Sequence, residues 1–320
     1  SMEEELSVIA EEMSDFLESH VHNSHENILL LLDEATHQLR TVSFEDDSTK
    51  PGPRLFLESE EKIDGRACVS GSLTLTECHC EEFDLSVRFA KYNKGAQLHF
   101  ATAPKSFYLL RQLQDALHMV EMASDLVAQL GSVRSSSPPT HAAAEGMGKT
   151  AARPLWLDLL PRIRHIGMVC DEIVTLLRKT EKEMSDWTSR ALPSMPQNWL
   201  RMEPPLPPDL LLQMYLDKSC VVLRVCVLAM HAPNRCPNNR LLASPGDSSS
   251  RLRGRVIPHK GGWIEVLEAL DLRSSVEPLS KALDFLAQAQ QRVLDLRLNA
   301  QAFESSVSRD EALFVRGLGG

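Results

Sequence analysis

The chain has 320 residues, of which 43% are hydrophobic and 24% charged, an ordinary composition for a globular protein. This length suits one large domain or two smaller ones, with enough apolar residues for a core of its own. The formal net charge of −10 argues against a nucleic-acid reader, because such proteins need a basic face to displace counterions from phosphates.

Cysteine usage and the amino terminus bear on the compartment. The seven cysteines are an odd number, and Cys170, Cys220 and Cys226 lie in apolar stretches interpreted as helical, where cysteine behaves as a small buried hydrophobe. This usage fits a reducing compartment. Residues 3–5 are acidic, unlike the start of a signal peptide, and no apolar run of about 18 residues occurs. The sequence therefore predicts a cytoplasmic protein without membrane insertion.

Residues 3–42 have the apolar spacing of a helix. The stripe consists of Leu6, Ile9, Met13 and Phe16, and then of Ile28, Leu32, Ala35, Leu39 and Val42. It weakens between His20 and His25, where Ser24 is a suitable N-cap for a second helix. The sequence thus leaves open one kinked helix or two.

Between residues 54 and 103 the period of the apolar residues changes to two. The alternation is clearest over residues 83–89 and is also present over 67–75 and 96–100, with 55–57 as a further short strand. Residues 92–95 supply a tight turn between the last two runs. Alternation implies that one face is buried, so the sequence predicts three or four antiparallel strands covered by helices.

Helical spacing returns in the second half of the chain. Its apolar positions are Leu109, Leu113, Ala116, Val120, Ala123, Val127 and Leu130, and then Leu159, Ile163, Ile166, Cys170, Ile173 and Leu177. The apolar run over residues 209–231 is interpreted as a further helix, and residues 305–320 as a frayed end. Stretches rich in Ser, Pro and Gly indicate flexible loops.

These patterns predict an α+β, mainly α fold. An antiparallel helical bundle contains a small three- to four-stranded antiparallel sheet, inserted after the first helix. The bundle comprises residues 2–45, 105–231 and 260–305, the sheet domain 54–103, and the flexible loops 131–153 and 232–258.

The final helix carries the longest heptad pattern, over Val276, Leu279, Leu283, Leu286, Gln290 and Val293. Such a stripe is either a coiled-coil seam between chains or one wall of a bundle, and the other helices favour packing within the chain. Gln290 suits a half-exposed surface, so the stripe is also the candidate partner interface, alongside an outer sheet edge. The interface residues are Leu279, Leu283, Leu286, Gln290 and Val293.

The sequence lacks residues that the known catalytic and cofactor-binding motifs require. Gly148-Lys149-Thr150 resembles a phosphate loop, but Ala143 stands where that motif needs glycine, and the context is a linker. The Gly-x-Ser-x-Gly elbow of serine hydrolases does not occur. The sequence therefore predicts no catalytic and no cofactor-binding residues, although an enzyme whose site is assembled from distant residues remains an alternative.

Two clusters contain metal-binding residue types. Residues 78–80 read Cys-His-Cys, but adjacent residues cannot easily reach one tetrahedral ion, and no matching pair lies elsewhere. His20, His22 and His25 lie near carboxylates, yet His20 and His22 would point apart on a helix. The sequence therefore predicts no metal site.

Three segments resemble the Rogdi family of leucine-zipper-type proteins. The first runs through the strands 67–75 and 83–89 to Leu98-His99-Phe100 and the helix 110–116, which contains Gln-Asp-Ala. The second is the proline-led segment 205–211, followed by Met214 and Tyr215, and the third is the terminal zipper 276–298.

The resemblance implies an elongated protein with a four-helix bundle, a small antiparallel sheet domain and no catalytic residues. It also implies partners, namely a large WD-repeat scaffold of the rabconnectin type and peripheral subunits of the vacuolar proton pump, and a cytoplasmic location peripheral to endomembranes. The expected function is that of a non-catalytic adaptor in assembly or regulation of that pump. The alternative is a helical-bundle subunit of a trafficking or cytoskeletal complex; the oligomeric state is left open.

Overall fold

The computed structural model describes residues 2–41, 54–59, 62–63, 66–76, 78–104, 106–132, 156–185, 201–232, 254, 256–259 and 262–317. The fold is α+β with antiparallel sheets, as predicted. The chain forms two compact units. The helical unit lies within Ser1–Thr36, His118–Thr180 and Asp284–Gly320, and the sheet unit within His37–Leu117 and Glu181–Leu283.

Five α-helices account for the helical part of the described chain. They are α1 (Met2–Asp15), α2 (Val21–Thr41), α3 (Arg111–Ser132), α4 (Trp156–Ser185) and α5 (Glu277–Gly317), with a π-helical turn at Phe16–His20 between α1 and α2. None of these helices is long and apolar enough to cross a lipid bilayer. Helix α5 continues through most of residues 305–320, so the prediction of a frayed end there was wrong.

The buried residues of α3 and α4 repeat with the heptad spacing of three and four. In α3 they include Leu113, Ala116, Val120, Ala123, Val127 and Leu130, and in α4 Leu159, Ile163, Ile166, Cys170, Ile173, Leu177, Thr180 and Met184. This spacing is typical of helices that pack at a small crossing angle. Both predicted stripes are confirmed except at Leu109, which belongs to a strand that precedes α3 and is only partly buried.

Helix α5 buries a different stripe from the one predicted. The buried positions are Leu279, Ala282, Leu286, Ala289, Val293, Leu296 and Ala300. Four predicted positions are buried, namely Leu279, Leu286 and Val293 in α5 and Val276 just before it, but Ala282 and Ala289 replace Leu283 and Gln290, which are only partly buried. A step of four residues followed by three and a step of three followed by four both describe a helical stripe. The prediction chose Leu283 and Gln290 because their side chains are larger than those of the adjacent alanines, and this choice was wrong. Ala282 and Ala289 are both fully buried.

The π-helical turn explains why the first apolar stripe weakens. Ala10, Met13 and Leu17 are buried with heptad spacing, but the next buried positions, Val21 and Ile28, each come one residue late. A π-turn accommodates one inserted residue and so returns the stripe to the buried side. The residues flanking this turn both have α-helical backbone angles. The segment is therefore one continuous helical path, the first of the two alternatives left open by the sequence, and Ser24 lies inside α2 and not at its start.

A six-stranded antiparallel sheet, the first sheet, contains the four predicted strands and two short strands that were not predicted. Its strands are β1 (Arg54–Glu58), β4 (Val69–Thr76), β5 (His79–Val87), β6 (Leu98–Thr102), β7 (Tyr108–Leu109) and β8 (Met202–Glu203), in the order β1-β4-β5-β6-β8 with β7 beside β5. The two that were not predicted are β7 and β8. A separate pair is formed by β2 (Lys62–Ile63) and β3 (Arg66–Ala67). The turn before β6 has positive φ at Asn93, Lys94 and Gly95, as expected for a tight turn.

Gly71 in β4 permits a close approach of two strands. A Cβ at this position would lie 2.2 Å from the carbonyl oxygen of Asp84 in β5. The core side of the sheet is filled by alternate apolar residues, among them Leu55, Leu57, Leu73, Leu75, Phe83, Leu85, Val87 and Phe100. Only one face of this sheet is therefore apolar.

A second, four-stranded sheet corrects the prediction of a helix over residues 209–231. Its strands are β9 (Leu210–Asp217), β10 (Cys220–His231), β11 (Val256–His259) and β12 (Gly262–Ser275), in the order β11-β12-β10-β9. The assignment of residues 260–275 to the helical bundle was also wrong. Strand β10 is buried on both faces, so its apolar run does not alternate and period alone cannot distinguish it from a helix. Its four valines favour the strand.

Most residues of the predicted loops lie outside the described residues. Gly131 and Ser132 end α3, and residues 133–153 are outside. Residues 256–258 belong to β11, and residues 233–253 are outside. The segment resembling a phosphate loop and Val42 also lie outside the described residues.

Candidate partner-binding surface

A buried ion pair joins the two central strands of the second sheet. The guanidinium of Arg224 in β10 donates Nε and Nη2 hydrogen bonds to the two carboxylate oxygens of Asp271 in β12, both at 2.6 Å. The same Nη2 donates to the Tyr215 hydroxyl at 3.1 Å. Arg224 is 1% exposed and Asp271 8%. Such a two-pronged pair is strong and directional, so it holds the register of β9, β10 and β12.

The pKa values of Tyr215 and Arg224 are shifted in the directions expected for side chains with a structural role. Burial, followed by the Asp271 carboxylate, raises the pKa of Tyr215 well above its usual value, so the phenol keeps its proton at neutral pH. Burial lowers the pKa of Arg224, but hydrogen bonding and attraction to Asp271 outweigh burial and leave that pKa raised. The phenol is therefore unsuited to act as a nucleophile.

Side chains close the outer edge of strand β9. The side-chain amide of Gln112 in α3 accepts from the Leu216 N–H at 2.8 Å and donates to the Leu216 carbonyl at 3.2 Å. It also donates to the Glu183 carbonyl at 2.7 Å, and the Tyr108 hydroxyl donates to the Met214 carbonyl at 2.9 Å. An edge whose backbone groups are already bonded cannot pair with another strand there.

The proline-led segment joins the two sheets. The Tyr92 hydroxyl, beyond the end of β5, donates to the Asp209 carboxylate at 2.8 Å, and the Leu228 N–H donates to the Asp209 carbonyl at 2.8 Å. Burial raises the pKa of Tyr92 to about 12. Asp209, Tyr215 and Gln112 thus lie in segments that carried the sequence resemblance, and each holds elements of the sheet unit together.

Within the helical unit, two ion pairs join α4 to α5. Arg164 contacts Glu304 at 3.0 Å, and Arg297 contacts Asp171. Each helix contributes a cation followed seven residues later by an anion, so the cation of one helix meets the anion of the other only when the two helices run antiparallel. This charge pattern fits only one antiparallel register of α4 and α5, although exposed pairs stabilise by no more than about 1 kcal/mol each.

The histidines near the π-turn contact different partners. The His20 Nε2 lies 2.9 Å from the Asn299 side chain, whereas His22 pairs with Glu26 at 3.3 Å. The ring of His25 packs against Gly131. The described residues contain no group of three metal-binding side chains. In residues 78–80, both cysteines are buried, and burial raises the pKa of Cys80 well above its usual value.

The sequence-derived interface residues are distributed between core and surface. Leu279, Leu286 and Val293 are at most 4% exposed, and Leu283 and Gln290 are partly buried beside them. The first three can meet a partner only if the chain opens, because its own residues already cover them.

The outer face of the first sheet is the more accessible candidate. This name denotes the side of two registered rows that faces away from the core: Phe56, Ser72, Asp84 and Ala101, and Glu58, Ser70, Ser86 and His99, with Arg54, Thr74 and Glu82 beside them. Ser72 and Thr74 are themselves buried, at 6% and 3% exposed, whereas Phe56 and the carboxylates of Glu58, Glu82 and Asp84 are exposed. Of the large hydrophobic side chains that the structure describes, Phe56 has the highest exposed fraction, 74%. Sequence reasoning missed it, although Leu55 and Leu57 pointing inward place Phe56 outward.

Arg54 holds Phe56 in place. The guanidinium of Arg54 lies 5.9 Å from the centroid of the Phe56 ring. Its Nε and Nη2 donate to the Ser72 hydroxyl at 3.0 and 2.8 Å. An aromatic ring packed against a fixed cation loses less freedom when a partner binds than a mobile ring would.

The outer face also contains a serine, a histidine and an aspartate in contact. Ser86 Oγ and the Asp84 carboxylate both lie 3.5 Å from the same ring nitrogen of His99, Nδ1. A catalytic triad needs the base between the two, with one ring nitrogen for each. His99 is 62% exposed and Asp84 53%, so water also competes for these groups. The geometry suits a polar binding surface.

Comparison with known proteins gives one family. A sequence model described as "Rogdi leucine zipper containing protein" matches residues 12–256. Protein rogdi homolog of Danio rerio is 25% identical over 306 residues, which cover 94% of this chain and 95% of that protein.

Proposed function

The chain belongs to the Rogdi family, and we propose that it is a non-catalytic adaptor subunit in a complex that assists assembly or regulation of the vacuolar proton-transporting ATPase. The match confirms the family resemblance found in the sequence. The role in proton-pump assembly is the one that this resemblance implies.

One structural observation supports the adaptor role. Buried polar side chains of the sheet unit are committed to joining its own elements, as Gln112 does for β9 and Arg224 does for β10 and β12. A body stiffened in this way presents preformed surfaces to partners, which reduces the ordering cost of binding.

The proposed partners are a large WD-repeat scaffold of the rabconnectin type and peripheral subunits of the pump. In this proposal the helical unit is an antiparallel bundle. Leu283 and Gln290 are the residues of the predicted α5 interface that lie nearest to solvent. The net charge of −10 opposes direct binding to anionic lipids. The protein would therefore be cytoplasmic and reach endomembranes through protein contacts.

Affinity capture tests this proposal. The tagged full-length chain is recovered from cell lysate and its companions are identified by mass spectrometry, with the tag alone as control. We expect a WD-repeat scaffold together with peripheral pump subunits. A different set of companions, such as a trafficking or cytoskeletal complex, would refute the pump assignment, and a folded chain recovered alone would refute the adaptor role.

A further inference from the structure

The outer face of the first sheet is a one-sided binding surface with an aromatic centre. Its core side is closed by apolar residues, while Phe56 is 74% exposed. A large aromatic side chain left in water loses the stabilisation of burial, and aromatic residues dominate the energy of protein interfaces. A partner that covers this ring therefore gains more from it than from the polar residues around it.

The charges around Phe56 indicate the kind of partner. Glu58, Glu82 and Asp84 are exposed carboxylates of this face, and Arg54 lies beside the ring. Phosphates of nucleic acid or of an anionic membrane would be repelled by these carboxylates. A second copy would present the same carboxylates and the same net negative charge, and opposed like charges disfavour pairing.

A basic protein segment matches these features. Lysine or arginine side chains complement the three carboxylates. The Phe56 ring already has the Arg54 guanidinium 5.9 Å from its centroid, and a second cation from a partner would make the same type of contact. We infer that the outer face binds a basic, apolar-containing segment of a protein partner, with Phe56 as its anchor; this inference rests on the proposed function as a partner-binding subunit.

Peptide selection on the full-length chain tests the inference. Short random peptides displayed on phage are selected on the purified protein, and enriched peptides are synthesised and measured by fluorescence anisotropy. We expect peptides that combine lysine or arginine with an apolar residue and that bind more weakly as salt is raised. Enrichment of acidic or uncharged peptides, or of none, would overturn the inference.

Three variants locate the binding. Phe56→Ser should weaken the selected peptides by about tenfold or more, and Glu58→Lys/Asp84→Lys should weaken them and remove their salt dependence. Met168→Ser, at a side chain 69% exposed in the helical unit, should leave affinity unchanged. These side chains are exposed, so circular dichroism should show all three variants folded. Unchanged affinity in both outer-face variants would overturn the inference.

Capture of the same variants separates this inference from the proposed function. If the wild-type chain and Phe56→Ser recover proton-pump subunits equally, the outer face is not the binding surface, and the proposed function is still supported. If the wild-type chain recovers no pump subunits while basic peptides bind at Phe56, the binding surface is supported and the proposed role in proton-pump assembly is refuted.

Discussion

The side-chain amide of Gln112 substitutes for a neighbouring strand at Leu216, since it accepts from the backbone N–H and donates to the backbone carbonyl of that residue. Gln112 is 5% exposed, so neither backbone group of Leu216 has water as a ready alternative. Removal of the amide therefore leaves buried polar groups unpaired, which costs more than a hydrogen bond contributes.

Gln112→Ala should destabilise the chain by about 2–4 kcal/mol, the cost expected for two unpaired backbone groups. The measurement is the free energy of unfolding in urea. Gln114→Ala is the matched control, because Gln114 lies in the same helix and is exposed. An equal effect of the two substitutions would show that helix propensity, and not closure of the β9 edge, sets the cost.

Arg224→Met should destabilise the chain by about 3–5 kcal/mol, because it leaves the Asp271 carboxylate buried without its partner. The double variant Arg224→Met/Asp271→Leu should recover much of this loss, since it removes both charges. Arg273→Met is the control, because Arg273 pairs with Asp217 while 55% exposed and should cost no more than about 1 kcal/mol. A double-mutant cycle that shows no coupling between Arg224 and Asp271 would contradict this account.

Two glycines in helices should respond oppositely to alanine. A Cβ at Gly131 would lie 2.7 Å from His25 Nε2, whereas a Cβ at Gly167 meets nothing within 4 Å. Gly131→Ala should cost about 1–3 kcal/mol through overpacking, and Gly167→Ala should stabilise by up to about 1 kcal/mol through helix propensity. Thermal unfolding reports both, and His25→Ala should relieve the Gly131→Ala defect. Destabilisation by Gly167→Ala would contradict the prediction.

Stability should fall as pH drops through the unfolded-state pKa of histidine, about 6.5. Burial, and then the charge of His22, lowers the pKa of His25 in the folded chain. The unfolded chain therefore takes up this proton first, so the stability present above the unfolded pKa is lost below it, until the folded residue also protonates.

Urea unfolding at pH 7.5 and at pH 5.5 measures this loss. His25→Gln should reduce the difference in unfolding free energy between the two pH values. The exposed His165 in α4 provides the control, since His165→Gln should leave the difference unchanged. A full pH dependence in His25→Gln would assign the effect to other groups.

The α5 stripe gives a further pair of variants. Leu286→Ala should cost about 2–5 kcal/mol because it leaves a cavity at a site 4% exposed. Leu283→Ala should cost less, because Leu283 lies beside the buried stripe. Urea unfolding compares the two; an equal or larger cost at Leu283 would contradict the observed stripe.

Local periodicity was informative wherever an element buries one face. The α3 stripe from Leu113 to Leu130 and the alternation of Phe83, Leu85 and Val87 both matched the structure. It failed in β10, where Arg224 and Val225 point to opposite faces and both are buried. A segment covered on both sides has no polar face to mark its period, so strand and helix remain equally consistent with it.

The candidate surface required the register of the sheet. That Leu55 and Leu57 turn inward was readable from the chain and implies an outward Phe56. The strand pairing that places Ser72 opposite Phe56 and Asp84 opposite Ser72 could not be predicted from the sequence, because register depends on the turns and bulges between strands.

The sequence by itself determined the α+β class, the buried stripes of α3 and α4, four strands of the first sheet and the Rogdi family, because periodicity and residue order are local properties of the chain. Only the tertiary structure decided that α5 buries Ala282 and Ala289, that residues 210–231 form strands, and that Gln112 closes the edge at Leu216. Each of these depends on what packs against the segment, and the contacting residues are distant in the chain. The contribution of these distant contacts to the folding free energy cannot be inferred from the spacing of apolar residues within a segment.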